Sequence, residues 1–141
     1  MNPMDEHAVL VDANVVLHAL GNDGRGRADR CRVYLESLWE GRGRAYASTE
    51  MLQEMVHHRM RRDSRELAVA AVRRVEPMFI VLNFDHEVLE LARELIERTD
   101  LRGRDAVHAA TALAYGIETI ASSDPAFDGI PGLRRVDPLA A

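Results

Sequence analysis

The chain has 141 residues, 47% of them apolar and 29% charged, a balance that suits a folded globular domain and excludes a disordered one. All 18 basic residues are arginine and the net charge is -5, so the protein as a whole does not attract nucleic acid, and any phosphate contact must be local. A single cysteine, Cys31, excludes an intrachain disulfide and a cysteine-cluster metal site, and no apolar run approaches the ~20 residues that span a bilayer.

The opening "MNPMDEH" is acidic and polar where an export signal is basic and then apolar, so one cytoplasmic domain over 1–141 is expected. "AVLV" at 8–11 reads as a buried strand ending at Asp12, and "NVVLHAL" as a first helix stopped by Gly21. The glycines of 22–27 mark a loop, after which Cys31, Leu35, Leu38 and Trp39 recur at helical spacing up to a second glycine break at 41–44. "AYA" at 45–47 is a short strand, and Ser48 or Thr49 caps a helix through 50–62 whose apolar stripe is Met51, Leu52, Met55 and Val56. Residues 64–74 form a further amphipathic helix, "MFIVLNF" at 78–84 is the clearest strand, and Val88, Leu89, Ala92, Leu95 and Ile96 line one face of the next helix. A helix over about 104–115 closed by Gly116, a strand within 117–122, a turn-rich stretch and a last edge strand in "LRRV" complete the chain. Strands alternating with helices predict a three-layer α/β/α sandwich around a mainly parallel sheet.

Ligands of open α/β sheets bind beyond the carboxyl ends of the strands, which directs attention to acids at strand ends. Asp12 follows the first strand, Asp124 follows "TIASS", and Asp105 opens the helix leading into that strand. Glu54 lies on the helix after "AYA", beside the Met51 edge of its apolar stripe. Each acid also has a local explanation. Asp12 and Asp105 suit the start of a helix, Glu54 can face His58 or Arg61, and Asp124 before Pro125 is a common turn opening. If the four converge, carboxylates about 4 Å apart repel by about 4 kcal/mol per pair at an effective dielectric of about 20. A cation then resolves the conflict, and hard oxygen ligands without cysteine suit Mg²⁺ or Mn²⁺, which readily bind phosphate oxygens. The natural substrate of such a site is a phosphodiester. The pairs Glu54/His57 and Asp105/His108 have the carboxylate-x-x-His spacing of di-iron bundles, but a bundle needs four long helices where this chain spends residues on strands.

Taken in order and spacing, "VLVDANVVLHAL", "ASTEMLQEMV", "LRGRDAVHAATALAYGI" and "IASSDPAFDGIPGLRRVDP" resemble the four acidic motifs of PIN-domain ribonucleases, especially the VapC-type toxins of toxin-antitoxin pairs. The likeness covers almost the whole chain, and "RDAVHAATALAYGI" is its most specific piece. It implies a PIN-like fold and a divalent-metal-dependent endoribonuclease that leaves a 5′-phosphate and a free 3′-hydroxyl. Asp12, Glu54, Asp105 and Asp124 would be the catalytic, metal-holding quartet, with Asn14, Ser48 and Ser122 or Ser123 orienting them. Gly103 would let the chain turn so that Asp105 points into the site. Where similar proteins often carry a further acid this chain has Ala126, a departure that bears on a second metal, with Asp128 as a partial substitute. The resemblance also implies an RNA substrate, a VapB-type antitoxin covering the acidic groove, and a homodimer.

An acidic pocket repels RNA, so rim arginines should supply the phosphate contacts. Candidates are Arg25, Arg27, Arg42 and Arg44 on glycine-flanked loops, and Arg59, Arg61 and Arg62 on the third helix. Two rivals are a signalling receiver domain, which ordinarily needs a lysine that this chain lacks, and a catalytically silent PIN-like module that only binds RNA or protein.

Overall fold

The structure is a computed structural model that describes residues 8–21, 26–41 and 43–140. Its strands are β1 (Ala8–Val11), β2 (Arg44–Ser48), β3 (Ile80–Leu82), β4 (Thr119–Ala121) and β5 (Arg134–Val136). They form one sheet in the order β3-β2-β1-β4-β5, and each neighbouring pair is parallel. The helices are α1 (Ala13–Leu20), α2 (Arg27–Glu40), α3 (Thr49–Met60), α4 (Arg65–Val75), α5 (His86–Arg98) and α6 (Gly103–Ala114).

Alternation along β1 shows why the sheet is covered on both faces. Ala8 and Leu10 join Val88, Ala92, Ala106, Ala109 and Ile120 in a core built under α5 and α6. Val9 and Val11 point the other way, into a core with Val15, Val16, Cys31, Leu35, Met55 and Val72 from α1 to α4. A strand buried on both faces is continuously apolar, which is how "AVLV" reads. The result is the three-layer α/β/α sandwich expected from the element order, and Cys31 is a buried core residue.

Helix starts follow local chemistry. Ser48, Ser64 and Asp85 each accept a hydrogen bond from the backbone N–H three residues on, at 3.0, 3.2 and 3.0 Å. The strand expected over 78–84 is shorter than its composition implies. Glu76–Met78, which contains Pro77, forms a 3-10 turn, and only Ile80–Leu82 pairs, on one side, with β2. As an edge strand it leaves Ile80 and Val81 46% and 36% exposed, so aliphatic residues here do not mark a central strand.

Strand order reverses between β1 and β4, the position where open α/β sheets build their ligand crevice. The order also differs from the 2-1-3-4-5 arrangement of receiver domains, which removes that rival on topology as well as on the missing lysine. Among the described residues, no helix is long and apolar enough to cross a membrane.

Candidate active site

The reversal point is where the acids gather. β1 and β4 pair with Leu10 opposite Ile120 and Val11 opposite Ala121, so the chain emerges from both strands side by side. The Asp12 N–H donates to the Ala121 carbonyl at 2.9 Å, holding Asp12 extended at the strand end, where it also caps α1. Its Oδ1 accepts from the Ala13 N–H at 2.8 Å, while its Oδ2 accepts from the Ser122 hydroxyl at 2.7 Å and from Asn14 Nδ2 at 3.1 Å. The same Ser122 oxygen accepts the Asp124 N–H at 3.0 Å, so one buried hydroxyl ties two of the acids together.

These contacts sort the predicted orienting residues. Asn14 accepts the Ser123 N–H on Oδ1 at 3.4 Å while its Nδ2 reaches Asp12 and Ser122. At Ser123, therefore, it is the backbone that takes part, and the hydroxyl in the network belongs to Ser122. The buried hydroxyl of Ser48 accepts the Met51 N–H as the cap of α3.

Glu54 and His108 meet across the gap between α3 and α6. His108 Nε2 lies 3.1 Å from Glu54 Oε2, and His58 lies 3.9 Å from the other carboxylate oxygen. His108 is only 2% exposed, and its Nδ1 is buried with no hydrogen-bond partner among the described residues. Neither carboxylate-x-x-His pair therefore closes on its own helix, and Glu54 is paired across helices instead. Asp105 and His108 stand one turn apart on α6, which places both on one side of that helix.

Asp105 sits in the first turn of α6, but not for the reason its neighbour suggests. Gly103 is the first helical residue, is not among the positive-φ glycines, and an added Cβ would meet nothing within 4 Å. The helix start requires no glycine, and Asp105 faces the site because of its place in the turn. At the fourth acid, Asp124 Oδ1 accepts from the Ala126 N–H at 2.9 Å, capping the 3-10 turn Pro125–Phe127. Asp128 does not substitute for the acid missing at Ala126, because Arg135 grips both of its oxygens at 2.7 and 3.1 Å.

The electrostatics show that the acids share one environment. Burial pushes the Asp12 carboxyl above its ordinary range, the charge of Glu54 adds to the rise, and His108 and the Ser122 hydroxyl oppose it. Burial likewise raises Asp105, followed by repulsion from Asp124 and, more weakly, from Glu54. Glu54 is lowered, first by its hydrogen bond to His108. Burial works against a charge on His108, but the Glu54 bond and the charges of Asp12, Glu54 and Asp105 together raise it above the usual histidine range. Arg102 and Arg104, flanking Gly103, add positive charge near Asp105 and Glu54 respectively, a role the sequence reading did not assign.

Among the described residues, no three His, Cys, Asp or Glu side chains form a set that would enclose a metal ion by themselves. The donor chemistry still fits a hard divalent cation. Mg²⁺ is usually held by one or two carboxylates, its own waters and substrate phosphate. Asp12 and Asp105 are the two carboxylates whose ionised forms the protein itself leaves unfavourable. Glu54, bonded to His108, stands beside them rather than alongside them as a free ligand.

The predicted arginines divide by position. Arg25 and Arg42 lie outside the described residues. Arg44 pairs in register with Ala8 at the amino end of the sheet, the rim opposite the acids, because a five-residue parallel strand carries its two ends to opposite edges. Arg27 is exposed in the first turn of α2. Arg59, Arg61 and Arg62, by contrast, line a cavity of about 360 Å³ that also contains Asn14, Glu54 and His58.

The family model for the PIN domain matches residues 9–133, spanning all four acids. The chain belongs to the PIN-domain family. Curated relatives of this PIN domain are ribonucleases. It is 32% identical over 137 residues to Ribonuclease VapC7 of Mycobacterium tuberculosis, covering 94% of this chain and 93% of the relative. It is 29% identical over 137 residues to VapC ribonuclease Mb1869c of Mycobacterium bovis, covering 91% and 98%. Among solved structures, FitAcB from Neisseria gonorrhoeae has a TM-score of 0.74 at 21% identity, over 94% of this chain and 99% of that one. VapBC-1 from nontypeable Haemophilus influenzae has a TM-score of 0.73 at 14% identity, over 93% and 98%. At these identities the solved structures establish the fold.

Proposed function

We propose that this PIN domain, one domain over 1–141, is a divalent-metal-dependent endoribonuclease and the toxin of a type II toxin-antitoxin pair, acting on cytoplasmic RNA. The observation that carries the reading is the meeting of carboxylates at the reversal point of a parallel sheet, where burial first and the neighbouring acids second hold Asp12 and Asp105 above their ordinary pKa range. Its relatives named as VapC ribonucleases support the same chemistry.

Asp12 and Asp105 would hold Mg²⁺ or Mn²⁺, with Asp124 and Glu54 at the margin. When bound, the cation supplies Lewis-acid stabilisation of the charge developing on the phosphodiester and makes the attacking water more acidic. The chain's own groups do the positioning. Ser122 and Asn14 fix the direction of Asp12 Oδ2, and Ser122 fixes the backbone at Asp124. His108 fixes Glu54 and keeps its charge from the fullest conflict with Asp12. No side chain needs to become a covalent nucleophile.

Partners follow from the same reading. Similar solved structures include a toxin-antitoxin complex from Klebsiella pneumoniae and a member of the VapBC family of toxin-antitoxin systems from Mycobacterium tuberculosis, which supports a VapB-type antitoxin for this chain, and a homodimer fits that class. The deciding experiment incubates the purified chain with RNA and Mg²⁺ or Mn²⁺, with and without EDTA. Internal cleavage that EDTA abolishes and Asp105→Asn lacks is expected. Intact RNA under every metal condition would contradict the reading.

A further inference from the structure

The cavity at the carboxyl end of α3 is a second, oppositely charged feature beside the acids. It shares Asn14 and Glu54 with them and runs past His58 to Arg59, Arg61 and Arg62. Glu54 is already bonded to His108, and Arg59 to Asp63 at 2.9 Å. Among the described residues, Arg61 bonds only to a ring nitrogen, His57 Nε2 at 3.4 Å, and Arg62 has no ion pair. Arg59 Nε is buried with no hydrogen-bond partner among the described residues, an unmet donor in the wall. In a protein of net charge -5, a roomy hollow with two guanidinium groups uncommitted to any carboxylate is built for an anion. From Glu54 to Arg61 is two turns, roughly 10 Å along the helix, so an anion held there lies close to the acids without entering them.

We propose that this cavity is a phosphate subsite that takes a backbone phosphate flanking the scissile bond, with Arg61 and Arg62 as its donors. The choice of a nucleic-acid phosphate rests on the nuclease reading above. The subsite offsets the repulsion that the carboxylates exert on the strand, and because it lies on one side of them it sets the direction in which the strand crosses the site. Arg61 and Arg62 raise affinity for the strand and take no part in the chemical step.

The test measures binding of a short single-stranded oligoribonucleotide by the full chain carrying Asp12→Asn, which prevents cleavage during titration. Adding Arg61→Gln and Arg62→Gln should weaken binding about tenfold, the size of one charge-assisted hydrogen bond, and flatten the salt dependence by about 0.7 per lost phosphate contact. Arg73→Gln with Arg74→Gln on α4 removes the same charge from another place and should change neither. A neutral methylphosphonate walked along the oligonucleotide should reproduce the tenfold loss at one flanking position, and add nothing in the Arg61/Arg62 variant. Unchanged affinity and salt slope in that variant, or a chain that binds no oligoribonucleotide, would overturn the subsite. So would a loss confined to antitoxin binding, which would make the cavity a protein-docking surface. If the parent chain fails to cut RNA with any metal while the arginine effect persists, the nuclease reading falls and the phosphate site stands.

Discussion

His108 Nε2 and Glu54 Oε2, 54 positions apart in sequence, are 3.1 Å apart in the structure and join the two helices that frame the acids. Replacing His108 with Ala leaves a half-buried carboxylate without its partner beside another buried acid. The expected loss is about 2 kcal/mol of unfolding free energy, less than for a fully buried pair because Glu54 keeps some solvent contact. His108→Gln, which retains a donor, should lose less. Urea denaturation of the three proteins checks this.

The same pair predicts a window of pH dependence. His108 is raised above 6.5, so its contribution is complete below that value and is lost as pH rises through the folded value. Glu54 is lowered below 4.5, so its contribution is complete above that value and is lost as pH falls through the folded value. The difference in melting temperature between the parent and His108→Gln, measured without metal, should therefore be widest between pH 4.5 and 6.5 and shrink on both sides.

Asp12 has the opposite sign. Burial raises its folded pKa above 3.8, so the ionised carboxylate destabilises the metal-free fold at neutral pH. Asp12→Asn keeps the cap on α1 and should raise the metal-free melting temperature by a few degrees while removing nuclease activity. A lowered melting temperature would mean that Asp12 serves the fold alone.

Adjacent serines separate network from surface. Ser122→Ala removes the donor to Asp12 and the acceptor of the Asp124 N–H, and should reduce stability by about 1–2 kcal/mol and cleavage along with it. Ser123→Ala keeps its backbone N–H and should behave as the parent in both assays.

Position also predicts which arginine is silent. Arg44 opens β2 at the rim away from the acids, so Arg44→Gln should leave the KM for RNA unchanged where substitution of Arg61 and Arg62 raises it. Steady-state cleavage of one oligonucleotide by the two variants makes the comparison.

The layers were legible in the chain because their cause is local. "AVLV" is apolar on both faces and alternates into the two cores, and Asp12 and Asp124 stand at strand ends that parallel register brings together. What stayed hidden depends on partners distant in sequence. Composition cannot show that β3 is an edge, so "MFIVLNF" promised a longer strand than the single neighbour β2 supports. Both Ser122 and Ser123 follow β4, and only its register with β1 decides which hydroxyl faces Asp12. Gly103 invited a backbone explanation because glycine often marks a turn, yet its φ is ordinary and its Cβ space is empty. The pairing of Glu54 with His108 needs the fold to bring the side chains of two separate helices together, which no spacing within either helix encodes.

Calorimetric titration of Mn²⁺ into the full chain, beside the Asp12→Asn/Asp105→Asn variant with its fold checked by circular dichroism, tests the central claim most directly. A saturable site in the parent that disappears from the folded variant is the predicted result. Equal Mn²⁺ affinity in the two proteins would contradict the assignment of these carboxylates to a cation.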